Sequence, residues 1–174
     1  DTKDEFEEAQ NFMKNSPIAK KATIRTPAIN PGIDMLYKTV MSHYPEDHCW
    51  GVDNIWTRSS IEDLLPYMKE IAETLPPAPS HLLWLNWHPG ELYNDMAYSA
   101  EDDIYLSLYS CWEDPADTSI YGNWASEMMK KMAHLSTGIQ LADEGKHKRT
   151  DTFMTSENLA KVQENRAKRD PGGI

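Results

Sequence analysis

The chain has 174 residues, enough for one domain with a real core, and its 40 % hydrophobic content, six Trp and eight Tyr exclude a disordered polypeptide. A net charge of −11 repels nucleic-acid backbones and anionic membrane surfaces and disfavours a site built mainly to hold phosphates. The longest apolar run, around "LLWLNW", is too short to cross a bilayer.

Thr2 and Glu5 form a capping box ahead of Phe6, Ala9 and Phe12, which predicts a helix to about Asn15, stopped by Pro17. "ATIRT" at 22–26 is a short strand candidate. "NPGIDMLYKTVMSHY" places Asn30 at an N-cap and Pro31 at the first helical position, with Ile33, Leu36, Tyr37, Val40 and Tyr44 as its buried stripe. "HCWGVDNIWT" at 48–57 reads as a strand. Ser60 and Asp63 cap the next helix, which turns Leu64, Leu65, Met68, Ile71 and Leu75 inward and ends at "PPAPS". "HLLWLNWHPG" is a strand halted by Pro89-Gly90, and "DIYLSLYSCW" is the clearest strand of all. "EDPADTS" makes a turn and an N-cap before a helix carrying Ile120, Trp124 and Met128. A last helix runs from Ser156 to Arg169. Helices alternate with strands, without the Gly-rich strand-to-helix turns of nucleotide-binding parallel sheets. The expected fold is α+β, an antiparallel sheet with helices packed on one face.

Alternation along "IYLSLYSCW" puts Ile104, Leu106 and Leu108 on one side with Ser110 and Trp112, and Tyr105, Ser107, Tyr109 and Cys111 on the other. The first side suits helix packing. The second is a row of hydroxyls on apolar bodies, where a solvated strand would carry Lys, Glu or Thr. In "LLWLNWH", Leu83, Leu85 and Trp87 fall on one side and Trp84, Asn86 and His88 on the other. Aromatic cross-strand pairs with polar tips at the rim account for both patterns from spacing alone.

Signature motifs for nucleotide, nucleophile or thiol-redox chemistry are missing: no Walker loop, GxGxxG, GxSxG or CxxC occurs. The six histidines show no metal-type spacing within one element, so no metal site is expected. Cys49 and Cys111 read as small apolar strand residues. The one basic run, "GKHKR" at 145–149, reads as a solvated loop.

The closing segment "SENLAKVQENRAKRDPGGI" resembles the last helix of the berberine bridge enzyme-like FAD-linked oxidases, which is followed by Asp-Pro and a short turn. Upstream, in family order, "IYLSLYSCWEDPADTS" resembles the central strand of the substrate domain with its Trp and acidic turn. "NWASEMMKKM" resembles the helix after it, "STGIQLADE" stands at a Gly-containing turn, and "HCWGVDNIWTRSSIEDLLPYMKEI" resembles the strand and helix before it. The resemblance implies a vanillyl-alcohol-oxidase-type substrate domain spanning 1–174, cut at both ends, whose FAD-binding half lies outside this chain. It implies hydride transfer from a small organic substrate to flavin. The partners expected are that FAD-binding half and the substrate, with no nucleic acid and no membrane.

Matching the family's Trp to Trp112 makes Tyr105 and Ser107 the implied catalytic residues, Tyr105 as general base or hydrogen-bond donor and Ser107 as the group that orients the substrate. Tyr109, Trp84, Asn86 and Trp50 are the implied substrate-binding residues, and Gln140 and Ala142 the implied cofactor-binding ones. The family's Tyr-x-Asn stands as Gln140-Leu141-Ala142, and Gln140 cannot take a proton. The family's His-Arg before the central strand is replaced near Ser99 and Ala100. The alternative reading is a non-catalytic small-molecule binding or interaction domain that keeps the fold without flavin. The half-enzyme reading further implies an exposed aromatic patch on the Tyr105 face, bearing Trp84 and Gln140.

Overall fold

A nine-residue strand, Ile104–Trp112, is paired on both sides and organises the larger of two compact units, Pro45–Ile174; the other is Asp1–Tyr44. The computed structural model describes residues 3–21, 32–87, 96–141, 145 and 147–173.

In the first unit, α1 spans Lys3–Asn15 and α2 spans Pro17–Lys21. Pro17 does not only stop a helix. Ser16 Oγ accepts from the Ala19 N–H at 3.2 Å, so Ser16 caps a second short helix with proline at its first position, where the missing N–H costs nothing. The strand candidate at 22–26 and the cap residues Asn30 and Pro31 lie outside the described residues. The third helix, α3, spans Ile33–Met41 with Gly32 as its N-cap. Its apolar stripe is not buried: Ile33 is 84 % exposed and Tyr37 64 %. A helical period reports an amphipathic helix, not a partner that covers it.

The second unit begins with β1, Cys49–Thr57, then α4, Ile61–Thr74. Ser60 caps α4 by accepting from the Asp63 N–H and donating to the Asp63 carboxylate. Next come β2, His81–Asn86, and the central β3, Ile104–Trp112. A single helix was expected after the acidic turn. Instead, α5 (Thr118–Tyr121) and α6 (Trp124–Lys131) are separated at Gly122-Asn123. At the break a Cβ on Gly51 of β1 would lie 2.9 Å from the Gly122 carbonyl oxygen, so strand and helix junction meet backbone to backbone. The last helix, α7, spans Ser156–Arg169.

The sheet has order β1-β3-β2 and is antiparallel throughout, with Leu106 opposite Ile55 and Trp84, and Leu108 opposite Asp53 and Leu82. The core joins Ile55, Leu106 and Leu108 to Leu64 and Ile71 of α4 and to Ala125, Met128 and Met129 of α6. This is the expected α+β arrangement. Of the α4 stripe, Leu64 and Ile71 are buried and Met68 packs on the core, while Leu65 and Leu75 are exposed. Helix α7 is polar on nearly every side and attaches through hydrogen bonds. The Asn158 amide donates to the Met96 carbonyl at 2.6 Å, and the Thr155 N–H to Ser99 Oγ at 2.8 Å.

Cys49 pairs with Trp112 and Cys111 with Trp50, so the two thiols point to opposite faces of the sheet and stay free. Burial pushes the Cys111 thiol pKa up, which keeps it protonated and inert. Among the described residues, no helix is long and apolar enough to cross a membrane.

Leu106 is fully buried between the helices, whereas Leu85 is 39 % exposed on the opposite side. Leu106→Ala is expected to lower unfolding free energy by about 2–5 kcal/mol, and Leu85→Ala by about 1 kcal/mol or less. Urea unfolding of each variant checks the contrast.

Candidate functional site

The face of the sheet opposite α4 and α6 is built in rows fixed by register. Trp56, Tyr105 and Leu85 form one row; Asn54, Ser107 and Leu83 the next; Val52, Tyr109 and His81 the third; and Trp50 with Cys111 the last. Residues directly opposite in an antiparallel sheet share a face, so these side chains form one surface.

The first three rows are each closed by a specific contact. The Trp56 ring lies over Tyr105, tilted, with centroids 4.8 Å apart, and reaches Trp87 at 6.2 Å. Its Nε1–H donates to Tyr98 Oη at 2.6 Å. Desolvation pushes the Tyr98 pKa up to about 12; the Trp56 hydrogen bond opposes this and Glu101 reinforces it. In the second row the Asn54 side chain takes both main-chain groups of Gln140. Its Oδ1 accepts the Gln140 N–H at 2.7 Å, and its Nδ2 donates to the Gln140 carbonyl at 3.0 Å. In the third row His81 stacks on Tyr109, with centroids 4.6 Å apart and planes 13° from parallel. His81 Nδ1 lies 2.8 Å from the Pro79 carbonyl oxygen, which only accepts, so Nδ1 carries the proton in the neutral ring.

Tyr105, Ser107 and Tyr109 lie on the side away from α4 and α6, as their alternation requires. Trp50 joins them through its pairing with Cys111. Trp84 and Asn86 do not. Trp84 pairs with Leu106 and packs against the helix-side core, and its Nε1–H donates to Asn86 Oδ1 at 2.9 Å. Alternation assigns a strand's residues to two sides, but only its pairing with β3 decides which side meets the helices. Gln140 is held at the outer edge of β1, and Ala142 lies outside the described residues. The exposed aromatic patch is not found: Tyr105 is 5 %, Ser107 0 % and Tyr109 6 % exposed.

Four residues central to this arrangement were not singled out from sequence: Trp56, Asn54, Asp53 and Arg149. The Asp-Asn pair inside the otherwise apolar "VDNIW" is the signal that was available, because a polar pair in a buried strand must find partners. Asp53 finds Arg149, whose Nε and Nη2 grip its two carboxylate oxygens at 3.0 and 2.8 Å. Part of the run "GKHKR" is therefore interior, not a solvated loop: Arg149 is buried, and Lys148 Nζ donates to the Gly122 carbonyl. Burial lowers the Arg149 pKa, but hydrogen bonds and charge from Asp53 and Asp151 outweigh it, and the net shift is upward.

Residues 137–138 pair with the outer edge of β1 at Trp56. The Thr137 N–H donates to the Trp56 carbonyl at 2.9 Å, and the Trp56 N–H to the Gly138 carbonyl at 2.7 Å. Gly138 has φ +156°, and a Cβ there would lie 2.4 Å from Ala100 Cβ and 2.7 Å from the Thr152 carbonyl oxygen. Among the described residues, no group of three His, Cys, Asp or Glu side chains gathers to hold a metal. No protein-family model matches the chain, and no curated protein does.

Gly138→Ala is expected to cost about 3 kcal/mol, the upper range for forced overpacking, read from the shift in thermal unfolding. The Tyr98 phenol has a folded pKa raised from 10.0 to about 12. Its neutral form therefore supports stability fully below pH 10, and that support is lost as pH rises towards about 12. Alkaline unfolding of wild type should steepen across that window, and Tyr98→Phe should flatten it.

Proposed function

We propose that the chain is the substrate-side portion of an FAD-dependent oxidoreductase that oxidises a small organic substrate at an alcohol or amine carbon. The observation that carries this reading is the two-faced sheet. One face is given to helix packing, and the other gathers Tyr105, Ser107, Tyr109, Trp56 and Asn54, with Gln140 tied to it. The order of motifs resembling the berberine bridge enzyme-like oxidases supports the same reading.

Flavin, when bound, accepts the hydride. The residues described here do not suit its phosphates. In the sheet unit, a Cβ on Gly51, Gly122, Gly138 or Gly145 would meet neighbouring atoms within 3 Å, so these four glycines serve chain packing and do not form an open phosphate cradle. Both main-chain groups of Gln140 are already engaged by Asn54, so only its side chain remains for a ligand. On this reading the pyrophosphate is held by an FAD-binding half. On this reading the chain's part is to hold the substrate, with Ser107 orienting it, Tyr109 and Trp50 bounding its apolar body and the Tyr105 hydroxyl handling the proton; because Tyr105, Ser107 and Tyr109 are buried, the reading requires the substrate to displace the side chains that cover them.

A second reading, a non-catalytic binding or interaction domain without flavin, is favoured by the closure of this face, with Trp56 against Tyr105 and His81 against Tyr109. The complete natural protein separates the two readings. The oxidase reading expects bound flavin that is reduced by substrate. Tyr105→Phe should then slow flavin reduction by about a hundredfold and weaken substrate binding much less, because the hydroxyl acts in the transition state. An unchanged reduction rate removes Tyr105 from the chemistry, and a flavin-free protein supports the binding domain.

A further inference from the structure

Arg149 ties together the parts of the chain that hold Gln140. Its guanidinium makes four hydrogen bonds: two to the Asp53 carboxylate, one to the Asn54 carbonyl at 2.6 Å and one to Asp151 Oδ2 at 2.7 Å. Asn54, gripped by its carbonyl, in turn holds the main chain of Gln140 through its side chain. Asp151 Oδ2 also accepts from Ser136 Oγ at 2.9 Å, and that Oγ accepts from the Gly138 N–H at 3.2 Å. One buried fork thus reaches the Gln140 segment along two routes. The first runs through β1 and ends on Gln140 itself. The second runs through Asp151 and ends on the turn that starts the segment.

A buried ion pair is a poor source of stability, because desolvation of both charges offsets most of their attraction. What a planar guanidinium with fixed donors supplies is geometry. We infer that Arg149 is a positioning residue, acting through Asp53 and Asn54 and through Asp151 and Ser136 to fix Gln140 beside the Trp56–Ser107 rows of the face opposite α4 and α6. The catalytic meaning of that position rests on the oxidase reading above; the positioning itself does not.

The test uses Arg149→Lys in the complete natural protein, which keeps a cation but loses the fork, with Asp151→Asn as a milder variant if the first does not fold. Amide hydrogen exchange should speed up by about ten- to hundredfold at 138–140, the loss of charge-assisted hydrogen bonding, while Leu106 and Leu108 stay unchanged. Equal acceleration in β3, or none at 138–140, would overturn the proposal. Flavin reduction by substrate supplies the second arm. Gln140→Ala should slow it less in the Arg149→Lys background than in wild type, because the two residues act in series. Equal cost in both backgrounds overturns the positioning role. A wild-type protein that carries no flavin sinks the oxidase reading instead, and exchange at 138–140 then decides the positioning by itself.

Discussion

The structure depends on a central strand that is paired along both edges and buried on both faces. In β3 every residue from Tyr105 to Trp112 is buried. A strand so placed has no solvent side, so each face must be filled by something specific. On one face the filling is aliphatic and comes from α4 and α6. On the other the side chains are aromatic and polar, with Trp56 and His81 lying against Tyr105 and Tyr109. The serines of β3 fit this plan because they are small and satisfied. Ser110 Oγ donates to the Tyr121 carbonyl at 3.0 Å, and Ser107 Oγ to the Asp53 carbonyl at 3.4 Å.

The outer strand β1 raises a different problem, an edge that would leave backbone groups unpaired. The chain closes part of it with 137–138, whose backbone exchanges two hydrogen bonds with Trp56. The side chain of Asn54 then continues the same work, imitating a strand partner for Gln140. Arg149 is the cation that bonds to this closure, through Asp53, the Asn54 carbonyl and Asp151. In a chain with net charge −11, committing an arginine to the interior gives two acidic groups, Asp53 and Asp151, a common partner. Gly138 completes the junction by allowing Ala100 and the 152 carbonyl to approach.

For function, the consequence is that Gln140 and the hydroxyl row belong to one assembly rather than to separate loops. A residue whose main chain is clamped presents its side chain with little freedom, which is what substrate orientation requires. The same clamp would serve a binding domain equally well.

Sequence by itself determined the α+β class, the strands β1, β2 and β3, the cap at Ser60 and the start of the last helix at Ser156. These follow from local rules: side-chain period, cap chemistry and turn residues act over a few neighbours. It also separated Tyr105, Ser107 and Tyr109 from Leu106 and Leu108, since alternation within one strand is local too. Only the tertiary structure decided that Trp84 meets the helices, because strand parity acquires a direction through pairing with another strand. Only the tertiary structure turned "GKHKR" inward, because the carboxylate that Arg149 answers, Asp53, lies 96 residues away along the chain. The same holds for the covered state of the Tyr105 row and the exposed stripe of α3. Burial depends on what the rest of the chain brings to a surface, and no period along one segment contains that information.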